Sequence, residues 1–305
     1  MFYEYAVDPA IFTNPSNLQS FFESFKNRPN RLISDSPKKW VQAAFQAINQ
    51  LSHEQCPPVR KKTLKENLKK LSKNSLSTNR VVDNREASKS WLEYIAVQHA
   101  IYPFAALFGV ESFSTPVTVY SFSNIFLKAP QCWDQAGQKH VKRDAAIMVE
   151  TMLPFLKISK QVILVDPHFS FVLPSWQRYE PILKELVAKA ALFNFGKGII
   201  KIEIHTSDRN GGVQQDLKTK VKPWLPEGMA IYCYQWPKKQ MHDRFVLTDI
   251  GGLSFGHGLD ENTEEGLDDV LVSVLSHQIY KEERAKLADK PEEPAYVVGE
   301  GKIVV

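Results

Sequence analysis

Cysteine is scarce in these 305 residues: Cys56, Cys132 and Cys233 stand alone, far apart and odd in number. No C-x-x-C pair is present, so the spacing that a structural zinc site or a dithiol redox centre requires is missing. The thiols read as single groups of a reducing compartment. Long apolar runs are lacking too. The longest stretch without Asp, Glu, Lys or Arg, Tyr94 to Val110, is interrupted by Gln98, His99 and Pro103, which suits a buried helix and not a membrane span. The opening MFYEYAVDPAIF holds Glu4 and Asp8 where a secretory leader needs a basic and then an apolar region. These gaps give the expectation of a cytoplasmic protein without membrane contact. Internal repeats are absent as well.

What is present is ordinary globular composition, 43% hydrophobic and 24% charged, in a length that suits one large or two medium domains. Net charge is only +4, but it is unevenly spread. Residues 1 to 115 hold 15 Lys and Arg against 10 Asp and Glu, and the remainder holds 23 against 24. Most of the excess lies between Arg60 and Arg85. There VRKKTLKENLKKLSKNS spaces Leu64, Leu68 and Leu71 at i, i+4, i+7, which predicts an amphipathic helix docked by its leucines. Arg60, Lys61, Lys62, Lys65, Lys69, Lys70 and Lys73 fill the other positions. They form either a solvated face or a surface that binds nucleic-acid phosphates by counterion release.

Residues 1 to 50 read as mainly helical, with Asn17 as a cap before Leu18, Phe21, Phe22 and Phe25, and Pro37 as the start of a helix holding Trp40, Ala44, Phe45 and Ile48. Arg28, Arg31, Lys38 and Lys39 cluster around a turn, as surface charges flanking a buried Trp40 or as a phosphate site. A further helix is predicted around Trp91, Leu92, Ile95 and His99, ending near Pro103, with His99 a satisfied core histidine. After Thr115 the segment VTVYSF alternates like a strand. From Lys139 the pattern becomes α/β: a helix over Asp144 to Leu156, a strand Gln161 to Val165, a crossover helix Pro181 to Phe195, a strand Gly198 to Thr206, a helix Gln214 to Leu225, and strands Met229 to Trp236 and Arg244 to Thr248. DVLVSVLSHQIYKEERAKLA then reads as strand followed by helix. The expected organisation is a mainly α-helical domain over 1–115, a connecting segment over 116–138, and an α/β domain over 139–305 with a C-terminal extension.

Polar side chains just beyond the carboxyl ends of such strands line the binding crevice. Asp166, His168, Ser207 and Asp208 are expected there. His242 stands at the entrance to its strand, so it reaches the same crevice only if that strand runs antiparallel. In MHDRFVLTDIGGLSFGHGLDE, His242, Arg244 and Asp249 stand at H-x-R-x4-D. Period two puts His242 and Arg244 on one face of the strand. Phosphodiester chemistry without a metal needs a histidine nucleophile, a cation on the phosphate oxygens and a carboxylate that orients the imidazole. It also needs a second histidine to protonate the leaving oxygen. His168, His205 and His257 are the candidates within the chain, His205 reading as packed inside its strand, and a second subunit is the other source. His140-Val141-Lys142 also reads H-x-K, but Ile147 stands where aspartate is needed, so it is incidental.

H-x-R-x4-D-x6-G resembles the H-x-K-x4-D-x6-G-S-x-N motif of the phospholipase D superfamily, and ILVDPHF followed by a helix is similar to the strand that opens its α/β repeat. The likeness spans about Lys139 to Val274, one repeat. Arg244 stands at the family's lysine, His257 at its serine and Leu259 at its asparagine. Arginine keeps the charge and binds phosphate bidentately, but it is not interchangeable with an ammonium point charge. H-D-R followed by G-x-G-L-D also resembles the phospholipase D-like domain of some microtubule-interacting and trafficking proteins, a non-catalytic, phosphoinositide-binding relative. The same phrasing resembles bacterial proteins of phage defence. The resemblance implies a phospholipase D-like mixed sheet flanked by helices. Its implied activity is a metal-independent phosphodiesterase, a nuclease acting on DNA or RNA through a phosphohistidine. In that reading His242 is the nucleophile, Asp249 its support and His257 the acid, while Arg244, His168 and Asp166 hold phosphate. It implies equally a catalytically silent module that binds nucleic acid or a protein partner. No cofactor or metal is expected. A homodimer or a multi-protein defence complex is the expected assembly.

Overall fold

The computed structural model describes residues 2–26, 28–78, 80, 90–114, 117–134, 137–192, 201–208, 219–264, 266–291 and 293–299. The chain divides into two compact units, Phe2–Ala136 and the part from Gly137 onward. Among the described residues no helix is long and apolar enough to cross a membrane.

The first unit runs β1 (Tyr3–Val7), α1 (Pro15–Phe25), β2 (Arg31–Ser34), α2 (Trp40–Gln50), α3 (Pro58–Ser75), β3 (Leu76–Ser77), α4 (Trp91–Ile101), β4 (Ala106–Gly109) and β5 (Val119–Ser121). Its strands form a parallel sheet of order β3-β2-β1-β4-β5. The period of two sorts the strand side chains onto two cores. Tyr5, Val7, Ile33 and Phe108 join Phe21, Phe25, Trp40, Leu68 and Trp133 in one, and Ala6, Leu107 and Val119 join Ile95 and Phe104 in the other. A mainly helical N-terminal domain is therefore corrected to a doubly covered parallel sheet with helices. The strands are two to five residues long and buried on both faces, so they show no alternation and the periodicity of the flanking helices masks them.

Glu4 also hid β1, because it is a carboxylate inside a core strand. Arg80 neutralises it at 2.6 Å, donates to the Tyr102 carbonyl at 2.7 Å, and lies 3.6 Å from the Phe104 ring centroid. Residues 117–134 belong to this unit and not to a connector: β5 pairs with β4, and Phe122, Ile125 and Trp133 are core residues. The cap of α1 is Asn14, whose side chain accepts from the Ser16 amide, and not Asn17, which is buried and donates to the Ile11 carbonyl at 3.1 Å. The second helix starts at Trp40, three residues beyond Pro37, with its first amide held by Asp35. Arg31 is buried over the Trp133 ring at 3.7 Å and donates to the Ser24 and Trp133 carbonyls, so it is a packed cation and not a surface one. Desolvation pulls its pKa below the ordinary arginine value. His99 accepts the Phe104 amide on Nδ1 at 3.1 Å, a satisfied histidine whose pKa burial lowers.

The second unit runs β6 (Gln138–Lys142), α5 (Ala145–Leu156), β7 (Gln161–Val165), α6 (Ser175–Leu192), β8 (Lys201–Ser207), β9 (Ala230–Trp236), β10 (Phe245–Thr248), β11 (Gly252–Phe255), β12 (Asp269–Val274), α7 (His277–Ala288) and β13 (Tyr296–Val298). The mixed sheet has the order β13-β9-β8-β7-β10-β11-β12-β6, with β7, β8 and β9 parallel and the remaining pairs antiparallel. Ile163, Val165, Phe245 and Leu247 face Tyr280 and Leu287 of α7, and their neighbours Val162, Leu164 and Val246 are buried on the other side. Helix α6 begins at Ser175, before Pro181, which lies inside it. The expected helix Gln214 to Leu225 falls largely outside the described residues, with a 3-10 turn at Lys222–Trp224.

Candidate functional site

Strand β10 is antiparallel to β7, with Phe245 opposite Val165 and Thr248 opposite Val162. Its entrance therefore lies at the exit of β7, which brings Arg244 beside Asp166. Arg244 Nε is 3.8 Å from Asp166 Oδ1. Asp166 is fully buried and accepts from the His168 amide at 2.8 Å, the Leu259 amide at 3.0 Å and the Tyr179 hydroxyl at 3.3 Å. Burial raises its pKa above the ordinary carboxylate value, while the two amides and Arg244 oppose the rise.

These bonds tie the loop after β11 to the end of β7. Gly258 sits in that loop at φ +125°, where an added Cβ would come within 2.8 Å of an Asp260 carboxylate oxygen. Only glycine adopts this backbone without strain. Asp260 in turn pairs with both Arg143 and Arg178. Arg143 Nη1 donates to the Leu267 carbonyl at 3.1 Å, and Arg178 Nε donates to the Glu261 carbonyl at 3.0 Å. His257 is thus presented on a loop anchored on both sides by carboxylates.

A cleft of about 440 Å³ opens here, walled by Arg143, Arg178 and Arg244 with His168 and His257. Tyr179, Ser175 and Asn262 add neutral donors, and Asp260 and Glu264 supply the acidic part of the wall. Arg143 and Arg178 are compensated by Asp260. Arg244 is compensated by Asp166 at 3.8 Å, beyond hydrogen-bond distance, and its Nε has no hydrogen-bond partner among the described residues. Three guanidiniums set against Asp260 and Glu264 leave the wall with a cationic excess that favours an entering anion.

The expected site residues separate accordingly. His168, Arg244 and His257 share the cleft, with Asp166 buried beneath it. His242 is exposed, does not line the cleft, and holds Nε2 3.1 Å from the Lys239 carbonyl. Asp249 lies beyond the other end of β10, where it accepts the Lys160 amide at 2.8 Å. The four residues of β10 separate it from Arg244, five steps or roughly 16 Å along the strand. Its expected role as support of the His242 imidazole is corrected for that reason. His205 is buried, with Nε2 3.2 Å from Glu203 and Nδ1 accepting from Trp236 at 2.9 Å. Sequence reasoning missed Arg143, Arg178 and Tyr179, which belong to no motif and meet only through the fold. Asp260 stood inside the G-x-G-L-D phrase.

Helix α3 splits its basic residues among different tasks. Its leucines Leu64, Leu68 and Leu71 are buried. Lys61 donates to the Asn49 and Leu51 carbonyls and Lys65 to the Asn49 side chain, so both clamp the end of α2. Lys69 lies 5.8 Å from the Phe45 ring centroid. Arg60, Lys62, Lys70 and Lys73 are exposed.

Fold and cleft together define a class, a mixed-sheet α/β unit with a guanidinium-walled pocket at its strand ends. Compared with protein-family models and with curated proteins, the sequence matches none.

Proposed function

We propose that the second unit is a phospholipase D-like module whose cleft binds a phosphodiester of DNA or RNA. The carrying observation is Arg244, which lines a cleft with two further guanidiniums and two imidazoles, while its Nε, 3.8 Å from Asp166, makes no hydrogen bond among the described residues. Guanidinium forks match phosphate oxygens in charge and geometry. A strand that follows H-x-R and runs antiparallel to the strand ending in DPH supports the family reading.

A second reading, a metal-independent nuclease, is favoured by the pair His168 and His257 in one cleft. One imidazole nitrogen attacks phosphorus as the P–O bond breaks, and the other imidazolium gives its proton to the leaving oxygen. Water then cleaves the phosphohistidine, and the second histidine takes the water's proton. In this reading the pair replaces His242 and Asp249 as the reacting groups. The setting rests on the resemblance alone: bacterial cytoplasm, anti-phage defence, and a homodimer or a multi-protein complex.

The test uses labelled oligonucleotide with the intact chain in EDTA. Binding weakened about tenfold or more by Arg244→Ala and unchanged by His242→Ala is expected, and equal binding by Arg244→Ala sinks the cleft reading. Cleavage abolished by His168→Ala and His257→Ala supports the nuclease. Cleavage that survives both while His242→Ala abolishes it returns the nucleophile to His242.

A further inference from the structure

We propose that the groove between α1 and α3 in the first unit binds single-stranded nucleic acid and encloses one of its bases. This site is separate from the cleft of the second unit and rests on different observations. The groove has a volume of about 730 Å³, within the roughly 300–1,000 Å³ of sites that enclose small organic groups. Its chemistry comes in complementary parts. Asn67 supplies an exposed carboxamide with a donor and an acceptor side, as the edge of a base requires, and Gln19 and Asn74 line the groove beside it. Half-buried Phe22 and buried Leu71 supply an apolar surface on which a base stacks.

Lys26 on α1 and Lys70 on α3 put a cation on each wall, both exposed, and neither forms an ion pair among the described residues. The single carboxylate, Glu23, already accepts from Gln19 at 2.7 Å. The balance selects an anion over a cation. Ser75 adds an independent sign: the residue is fully buried, it lines the groove, and its hydroxyl has no partner among the described residues. A hydroxyl so placed leaves a hydrogen bond to be made by whatever enters.

The helical repeat extends the track. Arg60 lies seven residues before Asn67, two turns along the same face of α3 and roughly 10 Å away. Lys62, Lys69 and Lys73 repeat along another face and give an internal control. An acidic peptide would use the lysines but leave the stacking surface of Phe22 and Leu71 uncovered.

Fluorescence anisotropy of the full chain with labelled 12-nucleotide oligo-dT and oligo-U is the test, run on Arg244→Ala so that the other cleft contributes nothing. Binding by this chain is expected. Adding Lys26→Gln with Lys70→Gln should weaken it about tenfold or more and lower the slope of log Kd against log salt by roughly 1.4, two contacts at about 0.7 each. Phe22→Leu, which keeps an apolar side chain in the core, should weaken it about tenfold by loss of stacking. Lys62→Gln with Lys73→Gln should change it less than about threefold. Circular dichroism confirms that each variant is folded. No binding by Arg244→Ala, equal binding after the Lys26 and Lys70 changes, or an equal loss from the Lys62 and Lys73 changes each overturns the proposal. Oligonucleotide held by the intact chain and lost with Arg244→Ala alone overturns the groove and leaves the cleft reading standing.

Discussion

Single residues decide whether the cleft exists, and Gly258 is the sharpest case. Its φ of +125° and the 2.8 Å approach of a virtual Cβ to Asp260 act together, because the first penalises any side chain and the second directs it against a carboxylate that holds Arg143 and Arg178. Gly258→Ala is expected to cost about 1–3 kcal/mol in urea unfolding, the range for one strained backbone position. It should also weaken oligonucleotide binding, since the same loop presents His257 and gives the Leu259 amide to Asp166. A variant with wild-type stability and binding would show that the loop is not the anchor. At this scale the sequence was partly legible. DPH marked Asp166 and His168 just beyond the carboxyl end of a parallel strand, while H-x-R marked Arg244 but not His242, which precedes β10 and lies outside the cleft. Asp249 misled, since linear spacing says nothing about which end of a short strand meets a partner.

Elements were legible in proportion to their length and to the contrast of their flanks. Strand β7 and helix α5 follow the expected bounds almost residue for residue, because a β-branched apolar run and a capped amphipathic turn stand out against polar neighbours. Strands β2 to β4 are shorter, and β1, as long as β7, holds a buried Glu–Arg pair that no local pattern announces. Strand β8 makes a similar demand. It presents Lys201, Glu203 and His205 on one face, and Glu203 is buried with Lys201 at 2.8 Å, Lys290 at 2.7 Å, His205 at 3.2 Å and Gln161 at 2.8 Å around it. Burial alone would raise the Glu203 pKa, but the bonds from His205, Lys201 and Lys290 outweigh it and hold the carboxyl well below its ordinary value. Burial likewise lowers the His205 pKa, with Glu203 opposing. Both groups are deprotonated in the fold under conditions where the unfolded chain takes up a proton. Their contribution is therefore complete above the unfolded histidine value of about 6.5. It falls as pH drops below that value, and more steeply below the unfolded glutamate value of about 4.5. Urea unfolding between pH 8 and pH 3 should show this acid limb. Glu203→Gln should lower stability at pH 7 by about 1–2 kcal/mol, because it takes the carboxylate from the half-buried Lys201 and Lys290 ammoniums, and should flatten the limb below pH 4.5. An unchanged limb would assign acid sensitivity to other groups.

Across the whole chain, every named strand pairs within its own unit, and the described core clusters also divide at Gly137. Composition shows the same division, with the basic excess confined to the first 115 residues. Neither fact was sufficient to reveal two sheets. A parallel sheet pairs strands that are distant in sequence, so its existence is a property of the folded chain and not of any window of residues. The consequence is autonomy, since a unit with its own sheet and its own core on both faces has what a domain needs to fold alone. Residues 2–136 and 137–305, expressed separately, should each show one cooperative thermal transition by circular dichroism and dispersed amide resonances. The proposed activities should divide with them, oligonucleotide binding that depends on Lys26 and Lys70 staying with the first fragment, and binding that depends on Arg244 staying with the second. A fragment that melts without cooperativity would make its core dependent on the other half. A first fragment that folds but binds no oligonucleotide would return all nucleic-acid recognition to the cleft beside Arg244.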